Sequence, residues 1–437
     1  TGLFFVRPDP GPFLIVDDVN IVFIVLTTFV GFTTSAFSAS YIAHELETGH
    51  LTPAYLRFYH AMYQTLMFAM NLALLANNVG LMWVAVELAT LTTVLMVGIY
   101  RTPAALEAAW KYFLLGSVGI ALALFGTILV YLAARSVVGE GLDAMAWNVL
   151  VANASAFDPA LLNLAFVFLL LGYGTKVGLA PLHAWLPDAH AEGPTPISAV
   201  LSGLLLNVAL FALLRFKMVM SANSGALAPG PLMVTLGLIS VLFASFMLYR
   251  RHDIKRMFAY SSIEHMGIIT FAFGMGGAVA NFAALLHMTV HSLSKSAIFF
   301  NVGHAAQKAG SQRIEDIRGL LAMNPTIGWG LMLGSLAILG MPPFGVFASE
   351  FLILTTAMKQ QPWATPVLLV ALGVAFAAIF GRVQSMVFGA PTGRRLPHQP
   401  ALLPVFAHLA IVLLLGLYIP PYLADWYRAA ARMIGGG

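Results

Sequence analysis

The chain has 437 residues, of which 59% are hydrophobic and 9% are charged, and its mean hydropathy is +0.86. A soluble globular domain carries roughly 25% charged residues, so this composition excludes a soluble enzyme and indicates a polytopic membrane protein. The net charge of +4 does not indicate nucleic-acid binding without a soluble basic domain, and the lack of cysteine excludes disulfides, iron–sulfur clusters and thiolate metal sites within these residues.

Apolar runs of about 20 residues, the length that crosses ~30 Å of hydrocarbon as a helix, recur along the whole chain. Their hydrophobicity is continuous instead of alternating, which favours helices over strands. We predict an all-α polytopic membrane protein with about twelve transmembrane helices, two of them interrupted. In chain order the predicted spans lie near 20–42, 57–77, 80–100, 110–135, 159–190 (interrupted), 194–216, 231–250, 254–275, 279–303, 326–358 (interrupted), 363–388 and 403–423.

The distribution of lysine and arginine predicts the orientation of these helices. The side reached after the first helix holds 13 basic residues, among them Arg394 and Arg395, and the opposite side holds 7. Cytoplasmic loops carry the excess of positive charge. The first of these sides, called side A below, is therefore predicted to be cytoplasmic, and both chain ends are predicted to lie outside.

The first charges inside predicted spans are Glu87 and Lys176. A charge at bilayer depth costs from about 2.5 to more than 10 kcal/mol, so such residues are seldom kept without a partner or a function. A carboxylate and an ammonium stabilise each other's charged forms in a low dielectric, and separating them favours release of the lysine proton. The pair is predicted to act as a switch; a static ion pair that fastens two helices is the alternative.

The loop after Lys176, HAWLPDAHAEGP, carries several titratable side chains on side A: His183, Asp188, His190 and Glu192. Such a cluster suits the collection of protons at a cytoplasmic mouth. A solvated turn with a helix-capping aspartate explains the same residues equally well, and the sequence does not separate the two interpretations.

The next polar positions inside spans are Asn207, in SGLLLNVALFALLRF, and the adjacent Glu264 and His265, in RRHDIKRMFAYSSIEHMG. An amide cannot exchange a proton near neutral pH, although it can hold a water molecule. The basic cluster 250–256 at the start of the second stretch is interpreted as a determinant of topology.

The stretch HMTVHSLSK places His287, His291 and Lys295 at positions i, i+4 and i+8 of an otherwise apolar run. On a helix these side chains form one stripe ~12 Å long, and stacked titratable groups at this spacing can pass protons through intervening water. The alternatives are a polar packing face, a metal site, which would need a third protein ligand, and a haem held by histidines on facing helices.

Two predicted spans contain prolines close to a charge. Pro181 and Pro187 follow Lys176, and Pro342 and Pro343 precede Glu350. Paired broken helices indicate an ion site near the membrane midplane. Lys176 and Glu350 are 174 residues apart, and Glu87 and Glu264 are 177 apart, which predicts two related halves. Each half holds five spans, and an odd number forces the second half to be inverted.

At these residues the sequence resembles the antiporter-like subunits shared by complex I, the multi-subunit sodium/proton antiporters and the membrane-bound group 4 nickel–iron hydrogenases, including formate hydrogenlyase. The helix pattern extends the resemblance over residues 15–425. The stretches that carry it are GTKVGLAPLHAWLPDAHAEGPTPISAVLSGLLLN, DIKRMFAYSSIEHMGI, HSLSKSAIFFNVGH and MPPFGVFASEFLIL.

The resemblance implies fourteen transmembrane helices with two inverted five-helix repeats, so the first two helices of the family are expected to precede Thr1. It divides the chain into an N-terminal segment with one helix, a first repeat, a second repeat, and a C-terminal helix with a tail. The predicted bounds of these parts are 1–56, 57–216, 231–388 and 389–437.

The resemblance also implies roles for single residues. Glu87 corresponds to the glutamate that pairs with the lysine of the first broken helix, Lys176. Lys295 corresponds to the central lysine, with His287 and His291 beside it on the connecting axis. Glu350 corresponds to the terminal position of the second broken helix.

Asn207 departs from this pattern, since many members carry a lysine or histidine there. Glu264 with His265 is expected to compensate, and this combination is most similar to the F-type branch of the hydrogenase-4 membrane proteins. A long lateral helix of the kind found in the largest complex I member is not expected in the residues after 425.

The predicted function is that of a proton-translocating subunit in a redox-driven complex of the bacterial or archaeal inner membrane, with no redox chemistry, cofactor or metal in this chain. Iron–sulfur clusters, and nickel–iron or quinone sites, are expected in partner subunits, which include other membrane subunits and a peripheral electron-transfer arm. The alternatives are a subunit of a multi-subunit sodium/proton antiporter and a degenerate scaffold in which Asn207 marks a lost proton path.

Overall fold

The structure is a computed structural model that describes residues 7–391 and 402–435. Within these ranges the regular structure is helical, and the extended segments form only isolated bridges. Parts of the predicted N-terminal segment (1–6) and of the predicted C-terminal segment (392–401, with Arg394 and Arg395, and 436–437) lie outside the described residues.

The first helices of the chain form the predicted N-terminal segment and first repeat. They are α1 (Asp18–Glu47), α2 (Pro53–Leu75), α3 (Val79–Val97), α4 (Pro103–Val138), α5 (Trp147–Asn153), α6 (Pro159–Val177), α7 (Leu186–Glu192) and α8 (Thr195–Ser221). The later helices are α9 (Pro229–Leu248), α10 (Ile254–Met275), α11 (Gly277–Ala309), α12 (Leu320–Met323), α13 (Pro325–Ile338), α14 (Gly345–Gln360), α15 (Ala364–Phe388), α16 (Leu403–Leu417) and α17 (Pro421–Gly435).

The ends of many helices follow from the local sequence. Several helices start with proline in the first turn, where the missing N–H costs nothing. The hydroxyl of Thr52 caps α2, and that of Thr102 caps α4. Gly178 ends α6 and Gly310 ends α11, both in the left-handed conformation that glycine adopts freely.

Among the described residues, seven helices are long and apolar enough to cross a membrane, and the α16–α17 pair, bent by 81°, makes an eighth if it forms one span. The other predicted spans also contain helices. The helices α10 and α11 are more polar than the seven because they carry the titratable residues described below. The helices α13 and α14 are short because the chain breaks between them. The count of twelve crossings stays a prediction.

The helices form a buried centre and an apolar perimeter. In the most apolar membrane-length stretch of α8 every residue is buried. In the corresponding stretches of α4 and α15 only 44% and 39% of the residues are buried. The centre also contains α10 and α11, and it holds most of the buried polar side chains. Polar groups are thus kept away from the surface that faces lipid, as membrane proteins require.

Both predicted breaks are present. After α6 the chain runs through a turn before the seven-residue α7, and after α13 it turns at Gly340 before α14 begins. In the first break, the Ser240 hydroxyl accepts from the Ala180 N–H at 2.9 Å, and the Trp185 indole donates to the carbonyl of Thr175 at 2.8 Å. Neighbouring side chains therefore bond backbone groups that leave the helical pattern.

Candidate functional site

The first cluster of the site joins α3 and α6. The Lys176 ammonium lies 3.8 Å from the Glu87 carboxylate and donates a hydrogen bond to the Thr90 hydroxyl at 2.8 Å. Lys176 is buried, whereas Glu87 retains 19% of its side-chain exposure. The pair predicted from sequence is therefore in contact, and its carboxylate is the member that a neighbouring subunit can approach.

Small and aromatic residues from α4 fix the position of Lys176. Its ammonium lies 5.8 Å from the centre of the Tyr112 ring, which stacks on Trp185 at 4.2 Å. A Cβ at Gly116 would lie 2.8 Å from the ammonium nitrogen. Glycine at 116 thus leaves the space in which Lys176 reaches across to α3.

The middle of the molecule joins α8 to α11 through neutral polar groups. The Asn207 amide donates to the Ser292 hydroxyl at 2.7 Å, and Ser292 donates to the carbonyl of Gly203 at 2.5 Å. Residues 201–205 form a π-helical turn inside α8, a distortion that is frequent at functional sites. Asn207 therefore contacts the residue that follows His291 in the chain, and its buried side-chain oxygen has no protein hydrogen-bond partner.

The three residues of the predicted stripe on α11 are fully buried and all face α10. The His265 Nδ1 lies 3.0 Å from the His287 Nε2, and the His265 and His291 rings are 5.5 Å apart. The Lys295 ammonium donates to the carbonyl of Phe258 at 3.0 Å. His265, expected only as an auxiliary residue, is thus the group that connects the stripe.

The second broken helix adds Ser349 and Glu350 to this cluster. The Ser349 hydroxyl lies 2.9 Å from the His287 Nδ1, and the Glu350 carboxylate lies 3.9 Å from the His265 Nδ1. Gly340 has a φ of +65°, and a Cβ there would collide with the Glu350 carboxylate. The break before α14 therefore makes room for the carboxylate beside the histidines.

A second buried carboxylate, Glu264 on α10, faces α9. Glu264 accepts a hydrogen bond from the Ser245 hydroxyl at 3.3 Å. It is also within electrostatic reach of Lys295, the group that counterbalances its charge. Lys295 is therefore stabilised by a carbonyl at contact distance and by a more distant carboxylate, unlike the direct pair of Lys176 and Glu87.

One nitrogen each of His265 and His287 and one oxygen of Glu350 lie within 4.8 Å of one another. Two imidazoles and a carboxylate form a donor set that zinc accepts. This set contains only His287 of the two histidines in the stripe, so it differs from the metal alternative considered for His287 and His291. The same nitrogens also lie at hydrogen-bond distance, as proton exchange between imidazoles needs.

The loop residues expected to gather on side A do not form one cluster. Asp188 contacts Lys111 and Arg256, and Arg256 also approaches Glu192 at 3.7 Å. Burial raises the pKa of Asp188, but the hydrogen bonds from Lys111 and Arg256 outweigh it and leave this pKa below its usual value. Asp188 is thus an ion-paired anchor for α7.

The two histidines of this loop point in other directions. His183 packs against Phe243 at 4.6 Å, and His190 is fully buried and stacked on Phe299 at 4.9 Å. Both imidazoles thus lie against aromatic rings instead of beside Asp188, and their part in proton collection stays a prediction. His190 instead contacts a ring that lies one turn along α11 from Lys295.

A cavity of about 700 Å³ opens at the side A end of the bundle. Its lining includes Glu45 from α1, Glu192 from α7 and the buried Lys255 of α10. The Lys255 ammonium donates to the carbonyls of Ala191 and Gly193. The sequence had assigned Lys255 to topology alone, and no local signal distinguished it from the exposed cations around it.

Other site residues also escaped sequence analysis, although two carried a usable signal. Thr90 follows Glu87 by three residues, which puts both on one face of α3, and Ser349 directly precedes Glu350. Ser292 carried no such signal, because its contact with Asn207 depends on how α8 packs against α11.

Comparisons with known proteins find relatives in sequence and in structure. Residues 76–377 match the sequence profile of the family described as NADH:quinone oxidoreductase/Mrp antiporter, TM. The hydrogenase-4 component F homolog of Methylacidiphilum infernorum is 60% identical over 432 residues, which cover 99% of this chain and 91% of that protein. Subunit M of the NADH-quinone oxidoreductase of Escherichia coli is 29% identical over 275 residues, which cover 60% of this chain and 53% of that protein.

Solved structures share the fold. A chain of the membrane-bound sulfane sulfur reductase, an archaeal respiratory membrane complex, superposes with a TM-score of 0.87 at 24% identity and covers 98% of this chain and 85% of its own length. A chain of respiratory complex I from Thermus thermophilus with bound aureothin gives a TM-score of 0.75 at 26% identity, with 94% and 86% covered. The helical architecture is thus that of membrane subunits in multi-subunit complexes.

Proposed function

Because the chain belongs to the NADH:quinone oxidoreductase/Mrp antiporter transmembrane family, we propose that it is the proton-translocating membrane subunit of a redox-driven complex of the hydrogenase-4 or complex I type. One observation carries this proposal. Titratable side chains from α10, α11 and α14 form a buried group, His287, His265 and Glu350, whose polar atoms lie 3.0 to 3.9 Å apart.

The Glu87–Lys176 pair is the proposed point of control. Electron transfer in a partner subunit changes the electrostatic field at Glu87, the more exposed member of the pair. When the carboxylate is withdrawn or neutralised, the buried ammonium loses its compensating charge and releases a proton. Thr90 stays within hydrogen-bond distance and holds the neutral amine in place.

The proton then crosses to the second half through the Asn207–Ser292 contact. Neither side chain titrates near neutral pH, so water must carry the proton past them. The unpartnered oxygen of Asn207 offers such a water molecule a hydrogen-bond acceptor. From there the path runs through His291, His265 and His287 to Glu350, which passes the proton to the outer side.

Lys295 is proposed to draw protons from the cytoplasmic side. It lies on the same helix as His291, one turn nearer to side A, with the buried His190 between it and Lys255 at the wall of the cavity. Side A is proposed to be cytoplasmic from the excess of basic residues there. This assignment places both described ends of the chain outside.

The finer architecture belongs to the same proposal. The two broken segments, α6–α7 and α13–α14, are proposed to be the fourth helices of two inverted five-helix repeats, with Glu87 and Glu264 on the second helix of each. Twelve membrane crossings result if α2, α10, α11 and the α13–α14 pair also span. The proposed domain bounds are those given by the sequence.

No redox chemistry is assigned to this chain. Iron–sulfur clusters, with nickel–iron or quinone chemistry, are proposed to reside in partner subunits, including a peripheral arm, and the complex is proposed to lie in a prokaryotic inner membrane. The curated relative from Methylacidiphilum infernorum is named for a hydrogenase-4 component, which favours the nickel–iron class.

Purification of the complex with this subunit, followed by reconstitution into sealed vesicles, tests the proposal. Electron donation should acidify the vesicle interior or exterior according to orientation, and Glu87→Gln should markedly reduce the pH change while the complex assembles. Sodium-dependent pH changes without an electron donor would favour the sodium/proton antiporter instead. Full activity of Glu87→Gln would favour the scaffold.

A further inference from the structure

An apolar groove of about 720 Å³ lies at the side A end of helices α2, α3 and α4, apart from the proton-path residues. Its walls are the start of α2, the end of α3 and the start of α4, and they include Tyr55, Leu95, Leu106, Trp110 and Phe113. The volume lies within the ~300–1,000 Å³ range of sites that hold small molecules. Trp110 is 63% exposed and Leu106 is 45% exposed, so this groove is open in the isolated subunit.

One lining residue is charged. The Arg101 guanidinium lies 4.9 Å from the centre of the Tyr55 ring, and a cation held over an aromatic face keeps its position while its N–H groups remain available. No acidic residue lines the groove in the described part of the chain. The groove therefore combines apolar walls with a fixed positive charge at its mouth.

Arg101 also has an unusual backbone. Its φ is +54°, the one positive φ at a non-glycine residue among those described. A residue with a Cβ is disfavoured in this conformation, and glycine would adopt it freely. An arginine at such a position indicates that its side chain contributes something glycine would not.

The N-terminus of α4 strengthens the positive potential at the same place. Arg101 precedes Thr102, which caps the 36-residue helix α4. Thr102 already accepts hydrogen bonds from the N–H groups of Ala105 and Leu106, so the helix contributes mainly through its dipole, which favours an anion near its first turn. Arg101 is the residue directly before this cap.

We propose that this groove binds an anionic glycerophospholipid, with its phosphodiester at Arg101 and its acyl chains along the apolar walls. Arg101 lies between the end of one membrane-length helix and the start of the next, the level at which lipid headgroups lie, and exposed tryptophan is typical of that level. Basic pockets between helices on the cytoplasmic side bind such headgroups.

Native mass spectrometry of the delipidated complex, titrated with phosphatidylglycerol or with phosphatidylcholine, tests this site. The wild type should retain phosphatidylglycerol, and Arg101→Gln should bind it about tenfold more weakly, since a charge-assisted hydrogen bond is lost. Arg57→Gln removes an exposed cation at the same membrane end outside the groove, and it should leave binding unchanged. Equal binding by wild type and Arg101→Gln would overturn the proposal.

Three further arms distinguish a phospholipid site from a free-anion site and from a protein interface. Arg101→Gly should lose the lipid without losing thermal stability, because glycine relieves the backbone; retention of the lipid by this variant would contradict the proposal. Glycerol phosphate should not displace the lipid, and displacement would indicate a free-anion site instead. A p-benzoylphenylalanine at position 110 should crosslink to lipid, whereas crosslinking to a partner subunit would show that protein fills the groove.

Discussion

The two halves of the site handle buried charge in different ways. In the first half, one ammonium and one carboxylate lie 3.8 Å apart and compensate each other directly. In the second half, the ammonium of Lys295 contacts a backbone carbonyl, while the carboxylate of Glu350 lies beside an imidazole. In the proposed mechanism, the first arrangement stores a proton until the electrostatic field changes, and the second passes protons between groups of similar chemistry.

The contrast indicates a division of labour. A direct ion pair responds strongly to an outside charge. Its members have lost hydration, so the charged form of each is stabilised mainly by the other. Neighbouring imidazoles respond less, but a neutral imidazole can accept a proton at one ring nitrogen and release one from the other. The first half is therefore suited to control and the second to conduction, and variants in each half should fail differently.

The largest effect is expected for Lys176→Ala. Removal of one partner of a buried pair leaves Glu87 uncompensated and removes the controlled proton, so pumping should fall by about a hundredfold. Proton uptake by vesicles, with electron transfer measured in parallel, checks this. Lys217→Ala changes another buried lysine, on α8 beyond the Asn207 contact, and serves as the matched control. Full pumping by Lys176→Ala in an assembled complex would refute the role of control.

His265→Gln should have the next largest effect. The amide keeps a polar group between His287 and Glu350 but cannot relay a proton, so pumping should fall by about tenfold while water supports the remainder. His408→Gln is the control, because His408 is an equally buried histidine that contacts Thr33 and the Leu293 carbonyl outside the relay. The same loss in both variants would mean that the effect is structural.

Asn207→Leu examines the passage between the halves. Leucine has a similar size but cannot hold water or bond Ser292, and a lost buried hydrogen bond corresponds to a drop of about fivefold. Asn207→His should pump at the wild-type rate or faster, since it adds a titratable group. An unchanged rate in Asn207→Leu would place the passage elsewhere.

Gly116→Ala is expected to have the smallest effect. The added methyl group displaces the Lys176 ammonium without changing any charge, and a shift of one rotamer costs enough to slow pumping by about threefold. Gly373→Ala, in α15 where a Cβ meets open space, is the control. If Gly116→Ala pumps like the wild type, the position of the ammonium is not critical.

Much of the site was predictable because spacing along a helix determines which residues share a face. His287, His291 and Lys295 were expected on one stripe, and all three face α10. The prolines near Lys176 and Glu350 likewise predicted where the helices break. In each case the information is local, and neighbouring residues carry it.

What sequence analysis missed depends on contacts between distant segments. His190 and Asp188 are two residues apart, yet one is stacked inside on Phe299 and the other is ion-paired to Arg256, because the short α7 exposes only one side. The partner of Asn207 lies 85 residues away, and that of Lys255 lies more than 60 residues away. No periodicity in one helix encodes such pairs.

The central claim is that the two halves form one proton path, and a double-mutant cycle tests it most directly. The number of protons pumped per electron pair is measured for Glu87→Gln, for His287→Gln and for the double variant in sealed vesicles. If the groups act in series, the double variant should pump no worse than the weaker single variant, because one block already stops the path. Losses that add independently would show two separate paths and would contradict this account.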